Sequence, residues 1–137
     1  MNPKYGKDST VLGTLVSQPL LFADFTDSAG ATGYIDFEKE LPVGAIPLGW
    51  KATVVLAFDA TSTAVIQVGV SGDTDRFTAD ATQSVATAGQ VGSAAIAADA
   101  AKGLGAVATP RVTITEDSAF GDMTEGELIV EVYFLKP

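Results

Sequence analysis

Asp73 and Asp75, with Asp80 a few residues on, come closest of any residues in this chain to a metal-binding spacing. In Gly72-Asp73-Thr74-Asp75 a tight turn puts two carboxylates on one side, and hard carboxylate oxygens are the ligands calcium takes. An EF-hand loop would add further ligands and a bidentate Glu at a fixed offset, and these are missing. Aspartates in such a turn ordinarily bond neighbouring backbone amides, so capping is the expected role and no metal ligand is assigned.

The other constellations are weaker still. Glu38 with Glu40, or Glu116 with Asp117, supplies two carboxyls, but glycoside hydrolysis needs two that face each other across a cleft, which sequence neighbours do not provide. A solvated acidic face accounts for them. The chain has no His and no Cys. It therefore lacks the usual general base at neutral pH, the commonest zinc and copper ligand, and any thiolate or disulfide. Its serines have only Lys51 or Lys102 as conceivable bases, and no Ser-x-x-Lys or nucleophile-elbow pattern occurs. Gly103-Leu104-Gly105 lacks the Lys-Thr and the strand-to-helix setting of a phosphate loop. The expectation is a protein with no catalytic residue and no cofactor, and not an enzyme.

Trp50, Tyr34 and Tyr133 could form an aromatic platform for a sugar, which would make the chain a carbohydrate- or receptor-binding module. A single Trp between Gly49 and Lys51 at the head of a strand is more economically read as packing into the core.

The elements that must hold these residues are strands. With 137 residues the chain fits one domain able to bury a core. Residues 1–10 carry too little apolar surface to order themselves and are expected to form an arm, free or pinned by a partner, ahead of a single domain over 11–137. Val11 to Phe25 reads as one or two short strands interrupted near Gln18 and Pro19. Thr32 to Glu38 alternates as a strand with one wet face, and Leu41 to Trp50 is a turn-rich apolar corner. Lys51 to Phe58 and Ala64 to Val70 read together as a hairpin, with Ile66 and Val68 on the buried face. Residues 77–110, rich in Ala, Thr, Gly and Ser, are expected to hold short strands and a long exposed loop anchored by Val85, Val91, Ile96, Leu104 and Val107, with a brief helix across Ala94 to Lys102 as the alternative. Arg111 to Thr115 and Glu127 to Leu135 are expected to pair as a second hairpin. Seven to nine short strands without an internal repeat give an all-β class: an antiparallel, jelly-roll-like β-sandwich of about eight strands.

Charge and hydropathy restrict partners. A formal charge of −9 repels nucleic-acid phosphates and anionic membranes. Met1 to Asp8 lacks the apolar core of a secretion signal, and no later stretch is long enough to cross a bilayer. No nucleic acid and no membrane is expected as partner.

Two stretches carry a resemblance. Phe37-Glu38-Lys39-Glu40-Leu41-Pro42-Val43-Gly44-Ala45-Ile46-Pro47-Leu48-Gly49-Trp50, running on through Lys51 to Phe58, and Ile66-Gln67-Val68-Gly69-Val70-Ser71-Gly72-Asp73-Thr74-Asp75-Arg76-Phe77 resemble the jelly-roll decoration, or cement, proteins on the heads of tailed bacteriophages. The shared features are a Leu-Pro-x-Gly-Ala lead into a strand, an aliphatic strand ending in Ala-Phe-Asp, and an Ile-x-Val-Gly-x-Ser-Gly-Asp-x-Asp strand and turn. They cover less than a third of the chain and carry no catalytic content. The resemblance implies a structural virion protein on the capsid surface, present in the host cytoplasm during assembly. It implies the major capsid protein as partner and a homotrimer as the assembled form. Related sandwiches in tails and fibres leave a receptor-binding role as the alternative. On this reading the candidate contact residues are Asn2, Pro3, Lys4, Tyr5 and Lys7 of the arm, which would order against the shell, together with Trp50.

Overall fold

Alternating apolar residues over the last strand set the frame of the molecule. In Glu127–Leu135 the side chains of Leu128, Val130, Val132 and Phe134 are buried while those between them are half-exposed, the period a strand needs when one face meets a core. The computed structural model describes residues 11–80, 82–95 and 103–137. Over these it is all β, with nine strands: β1 (Leu12–Val16), β2 (Leu20–Leu21), β3 (Thr26–Asp27), β4 (Thr32–Asp36), β5 (Ile46–Leu56), β6 (Ala64–Gly69), β7 (Gly89–Ala94), β8 (Arg111–Glu116) and β9 (Glu127–Leu135).

The strands form two antiparallel sheets. One is five-stranded, in the order β1-β9-β5-β7 with β2 also on β9; the other is four-stranded, in the order β3-β4-β8-β6. From β4 onward every connection crosses from one sheet to the other. The first strand pairs with the last and β4 with the penultimate one, which is the wrapping of a jelly roll. Residues 83–85 run beside β6 as a rudimentary further strand: the Ile66 N–H donates to the Gln83 carbonyl and the Val85 N–H to that of Ala64, both at 2.9 Å.

This wrapping corrects both expected hairpins. β5 and β6 lie in different sheets, as do β8 and β9, so neither sequence-adjacent pair is hydrogen-bonded. The connections explain why. Phe58 between β5 and β6, and Phe120 and Met123 between β8 and β9, are at most 2% exposed, so each link dives through the end of the core instead of turning in solvent. Phe22, Phe25, Phe58 and Phe120 close that end as an aromatic cluster, with ring centroids 5.1 Å apart for Phe22 and Phe120 and 5.9 Å for Phe25 against each of Phe58 and Phe120.

Between the sheets, Trp50, Ala52 and Val54 of β5 and the inward row of β9 meet Ala64, Ile66 and Val68 of β6 and Val112 and Ile114 of β8. Burying each large member stabilises the fold by about 1.5–3 kcal/mol relative to leaving it in water. The Ile66 and Val68 face is the buried one, as the alternation indicates.

Other expectations shift. β5 begins at Ile46, inside the expected corner, with Leu48 as a bulge residue between Pro47 and Gly49 in the register with β9. The 77–110 stretch is less exposed than its composition implies, because Phe77, Val85, Leu104 and Ala108 are all buried. Val107, expected as an anchor, is instead 57% exposed. The arm over 1–10, Ile96 and the possible helix beyond Ala95 fall outside the described residues.

Candidate functional site

The residues singled out for chemistry do not converge on one site, and several are already bonded to neighbours. Asp73 exchanges backbone bonds with Val70 across a tight turn, and the Asp80 carboxylate accepts from the Thr82 N–H at 3.0 Å, the Thr82 hydroxyl at 2.7 Å and the Gln83 amide at 2.9 Å. Those bonds hold the Asp80 pKa below the ordinary carboxylate value. Among the described residues no group of three or more His, Cys, Asp or Glu side chains could hold a metal ion.

Glu116 and Asp117 point opposite ways. Glu116 continues the inward row of β8 and is 2% exposed, its Oε1 accepting the Thr61 N–H at 2.8 Å, while Asp117 is exposed and accepts the Thr63 N–H at 3.1 Å. Glu38 and Glu40 stand exposed on the link from β4 to β5. Gly103-Leu104-Gly105 is a core anchor: Leu104 is 2% exposed, donates to the Ala45 carbonyl and accepts from the Gly44 N–H, each at 2.8 Å. Lys51 sits 3.6 Å from Glu131, and Lys102 lies outside the described residues.

The three aromatics occupy three different places. Trp50 is 3% exposed and its Nε1 donates to the Thr78 hydroxyl at 3.1 Å, so the indole packs inside, as its flanking residues favour, and shows no ring face to solvent. Tyr34 lies on the outer face of the four-stranded sheet under the Arg111 guanidinium, 3.9 Å from its centroid. Tyr133 lies on the outer face of the five-stranded sheet and donates to Glu131 Oε2 at 2.6 Å. They build no platform. Asn2, Pro3, Lys4, Tyr5 and Lys7 lie outside the described residues.

The shifts resolved for Asp59, Asp80, Asp117 and Glu131 among the described residues are all downward. For Asp59 the causes are the Thr124 hydroxyl and then the Glu125 and Thr124 amides, which bring it to about 2. For Glu131 the main cause is the Tyr133 hydroxyl, which in turn has its own pKa raised. A general acid needs the opposite shift. A shallow recess of about 300 Å³ is lined by Val16, Ser17, Gln18, Glu38 and Lys39. The Gln18 side chain bridges it, donating to the Asp36 carbonyl and accepting from the Glu38 N–H, both at 3.3 Å.

What the fold does assemble is a polarised surface. At the end closed by the aromatic cluster stand Asp24, Asp27, Asp59, Asp117, Asp122, Glu125 and Glu127, with no Lys or Arg in those connections. At the other end Lys39, Arg76, Lys136 and Arg111 stand among Asp36, Glu38, Glu40, Asp73 and Asp75, so that end is mixed in charge, and Arg111 forms a two-pronged bond to Asp36 at 2.7 and 3.0 Å. While Leu21, Val55 and Leu56, 43–54% exposed, lie toward the acidic end beside Glu127, that second end carries Val11, Leu12, Val43, Leu48 and Val107, 42–57% exposed. Backbone bonds tie these loops together, from Lys136 to Val11, Gly44 to Leu104, and Leu41 to Ala108 in both directions. Composition alone shows the net charge but not this separation, which depends on which connections share an end.

The outer faces differ as well. On the four-stranded sheet, Asp36, Arg111, Tyr34 and Gln67 make a polar surface over the buried Thr113. On the five-stranded sheet, register aligns Leu12 with Leu135 and Ile46, and Thr14 with Tyr133, leaving an apolar stripe toward the end opposite the aromatic cluster.

No protein-family model matches the sequence, and no curated protein matches it significantly. Among solved structures, the fold is similar to a chain in the capsid asymmetric unit of cyanophage Pam1, with 22% identity, a TM-score of 0.58, and coverage of 93% of this chain and 88% of that one. A chain in the acid-stable capsid structure of the Helicobacter pylori bacteriophage KHP30 aligns at 18% identity and a TM-score of 0.46, over 92% of this chain and 94% of that one. At 22% identity the likeness to the cyanophage chain is one of fold.

Proposed function

We propose that this chain is a structural protein of a phage virion, a non-enzymatic capsid decoration or cement protein that stabilises the head by bridging major capsid subunits. The observation that carries this reading is the near end-to-end sharing of one jelly-roll fold with a chain of a cyanophage capsid asymmetric unit. It agrees with the resemblance of the 37–77 region to head decoration proteins. A shell held by many weak contacts gains stability from a small domain that touches several subunits at once, through avidity and without chemistry.

The polarised surface gives the reading an orientation. The end with the exposed Val11, Leu12, Val43, Leu48 and Val107, where the charge is mixed and not uniformly acidic, is the foot on the shell, since an exposed apolar patch with a polar rim is a docking surface. Val11, which residues 1–10 precede, lies there, consistent with an arm that orders on the shell. The acidic end faces outward. A homotrimer on the capsid surface, assembled from copies made in the host cytoplasm, is part of the proposal. A sugar-binding role through an aromatic platform has no support in the geometry, because Trp50 is buried.

The test is co-sedimentation with purified shells that lack the protein. Saturable binding at a fixed ratio to the major capsid protein, with a rise in the temperature at which shells break, is the expected result. Absence of binding, or binding without any gain in shell stability, would remove the reading.

A further inference from the structure

The two sheets have four lateral edges, and three of them are blunted. Beside β7, the Ser93 hydroxyl accepts the N–H groups of Ala79 and Asp80 at 2.9 and 2.8 Å, and the Ala79 N–H also donates to the Ala94 carbonyl. Beside β6 run residues 83–85 and the Phe77 N–H, which donates to the Val68 carbonyl at 3.0 Å. β3 is only two residues long. Such coverings are how natural sheets prevent unwanted pairing.

β1 has none of these devices. The Ser17 N–H donates to the Val130 carbonyl, the Val130 N–H to the Ser17 hydroxyl and the Lys136 N–H to the Val11 carbonyl, so the odd-numbered residues of β1 bond toward β9. By the alternation of an antiparallel ladder, the N–H and C=O groups of Leu12, Thr14 and Val16 then point away from the sheet. Among the described residues nothing bonds them. The strand, Leu-Gly-Thr-Leu-Val, contains no charge and no proline, and Leu12 and Val16 are 51% and 46% exposed. A bare, neutral, apolar edge is the feature that accepts an added strand.

A second copy of this chain fits the edge poorly. Two five-residue strands paired alone bury far less than the roughly 1,200 Å² at which stable pairs begin. An extended segment of a large partner held at other points as well avoids that obstacle, because its weak strand contact adds to avidity.

We propose that the open edge of β1 receives an extended segment of the shell protein as an additional strand of the five-stranded sheet. The segment has apolar residues opposite Leu12 and Val16, a small or hydroxyl side chain opposite Thr14, and neutral or basic flanks that complement the acidic chain. This rests on the shell-attachment reading above.

Hydrogen–deuterium exchange over residues 12–17 tests it, comparing the protein alone with the protein on shells that lack it. The Leu12, Thr14 and Val16 amides exchange rapidly in the protein alone and slow at least tenfold on shells. Thr14→Pro removes an outward donor but no bond to β9, so it lowers shell affinity at least tenfold with an unchanged unfolding midpoint; Thr14→Val keeps the donor and binds normally. Three outcomes would overturn the proposal. Slow exchange in the protein alone with a dimer in sedimentation would assign the edge to a second copy. Shell binding with these amides still fast would place attachment elsewhere and leave the cement reading standing. No shell binding at all would remove both.

Discussion

Trp50 and Thr78 join the two sheets through a single buried hydroxyl. Thr78 Oγ1 accepts the Trp50 indole N–H at 3.1 Å and the Val68 backbone N–H at 2.7 Å, and donates to the Val68 carbonyl at 2.9 Å. Trp50 belongs to the five-stranded sheet and Val68 to the four-stranded one, and Thr78 is 3% exposed. Thr78→Val keeps the shape and strands two buried donors, so a loss of about 2–4 kcal/mol is expected in urea unfolding. Thr78→Ser should retain most of the stability. Equal midpoints for Thr78→Val and the parent would contradict this arrangement.

Asp59 fastens the β5–β6 link to the β8–β9 link. It accepts the Thr124 and Glu125 amides at 2.7 and 3.0 Å and the Thr124 hydroxyl at 2.6 Å. Its folded pKa of about 2 lies below the 3.8 of the free side chain. A carboxyl depressed on folding contributes stability that is fully present above the unfolded value and is lost as pH falls toward the folded one. The stability difference between the parent and Asp59→Asn should therefore be constant above pH 5 and close as pH drops through 3.8 toward 2. Chemical denaturation across that range reads it directly, and a gap that widens on acidification would show the clamp to be misassigned.

Gly33 exists to admit Phe120. A Cβ at Gly33 would stand 2.3 Å from the ring's Cζ, and Phe120, 1% exposed, has no room to withdraw. Gly33→Ala should cost about 1–3 kcal/mol by overpacking. Adding Phe120→Leu should then cost less than it does alone, a coupling that a double-mutant cycle measures. Strict additivity would argue against the contact.

Ala29 is the one non-glycine residue with positive φ among the described residues, at 61°. Its side chain is exposed, and its N–H donates to Asp27 Oδ1 at 2.8 Å, a bond glycine would keep. Ala29→Gly should raise stability by about 0.5–1 kcal/mol through relief of left-handed strain. A lower thermal midpoint would indicate that the turn relaxes to another conformation in solution.

Strand positions were legible in the sequence because each half-buried strand writes its own period of two: Thr32 to Asp36, Ala64 to Gly69, Arg111 to Glu116 and Glu127 to Leu135 all lie where alternation put them. Partners were not legible, since alternation shows that a face is buried but not against what. The available clue was in the links: Phe58, Phe120 and Met123 are large apolar residues in segments otherwise polar enough to pass as solvent turns, and each belongs under the core. The irregular stretch before β8 gave no period to read, which is why Val107 was expected inside and its neighbour Ala108 is the buried one. The clustering of carboxylates at one end and the bare β1 edge depend on topology, and no local pattern announces them.

The placement of β9 between β1 and β5 bears on how the molecule is made. Of the nine described strands β9 leaves the ribosome after the other eight, yet it lies inside the larger sheet, so β1 and β5 wait, unjoined, until synthesis has passed residue 127. A chain stopped short of that point lacks the element that joins head to tail and has nothing to close around. A translation product that stops before residue 127 would thus be left unfolded for proteases.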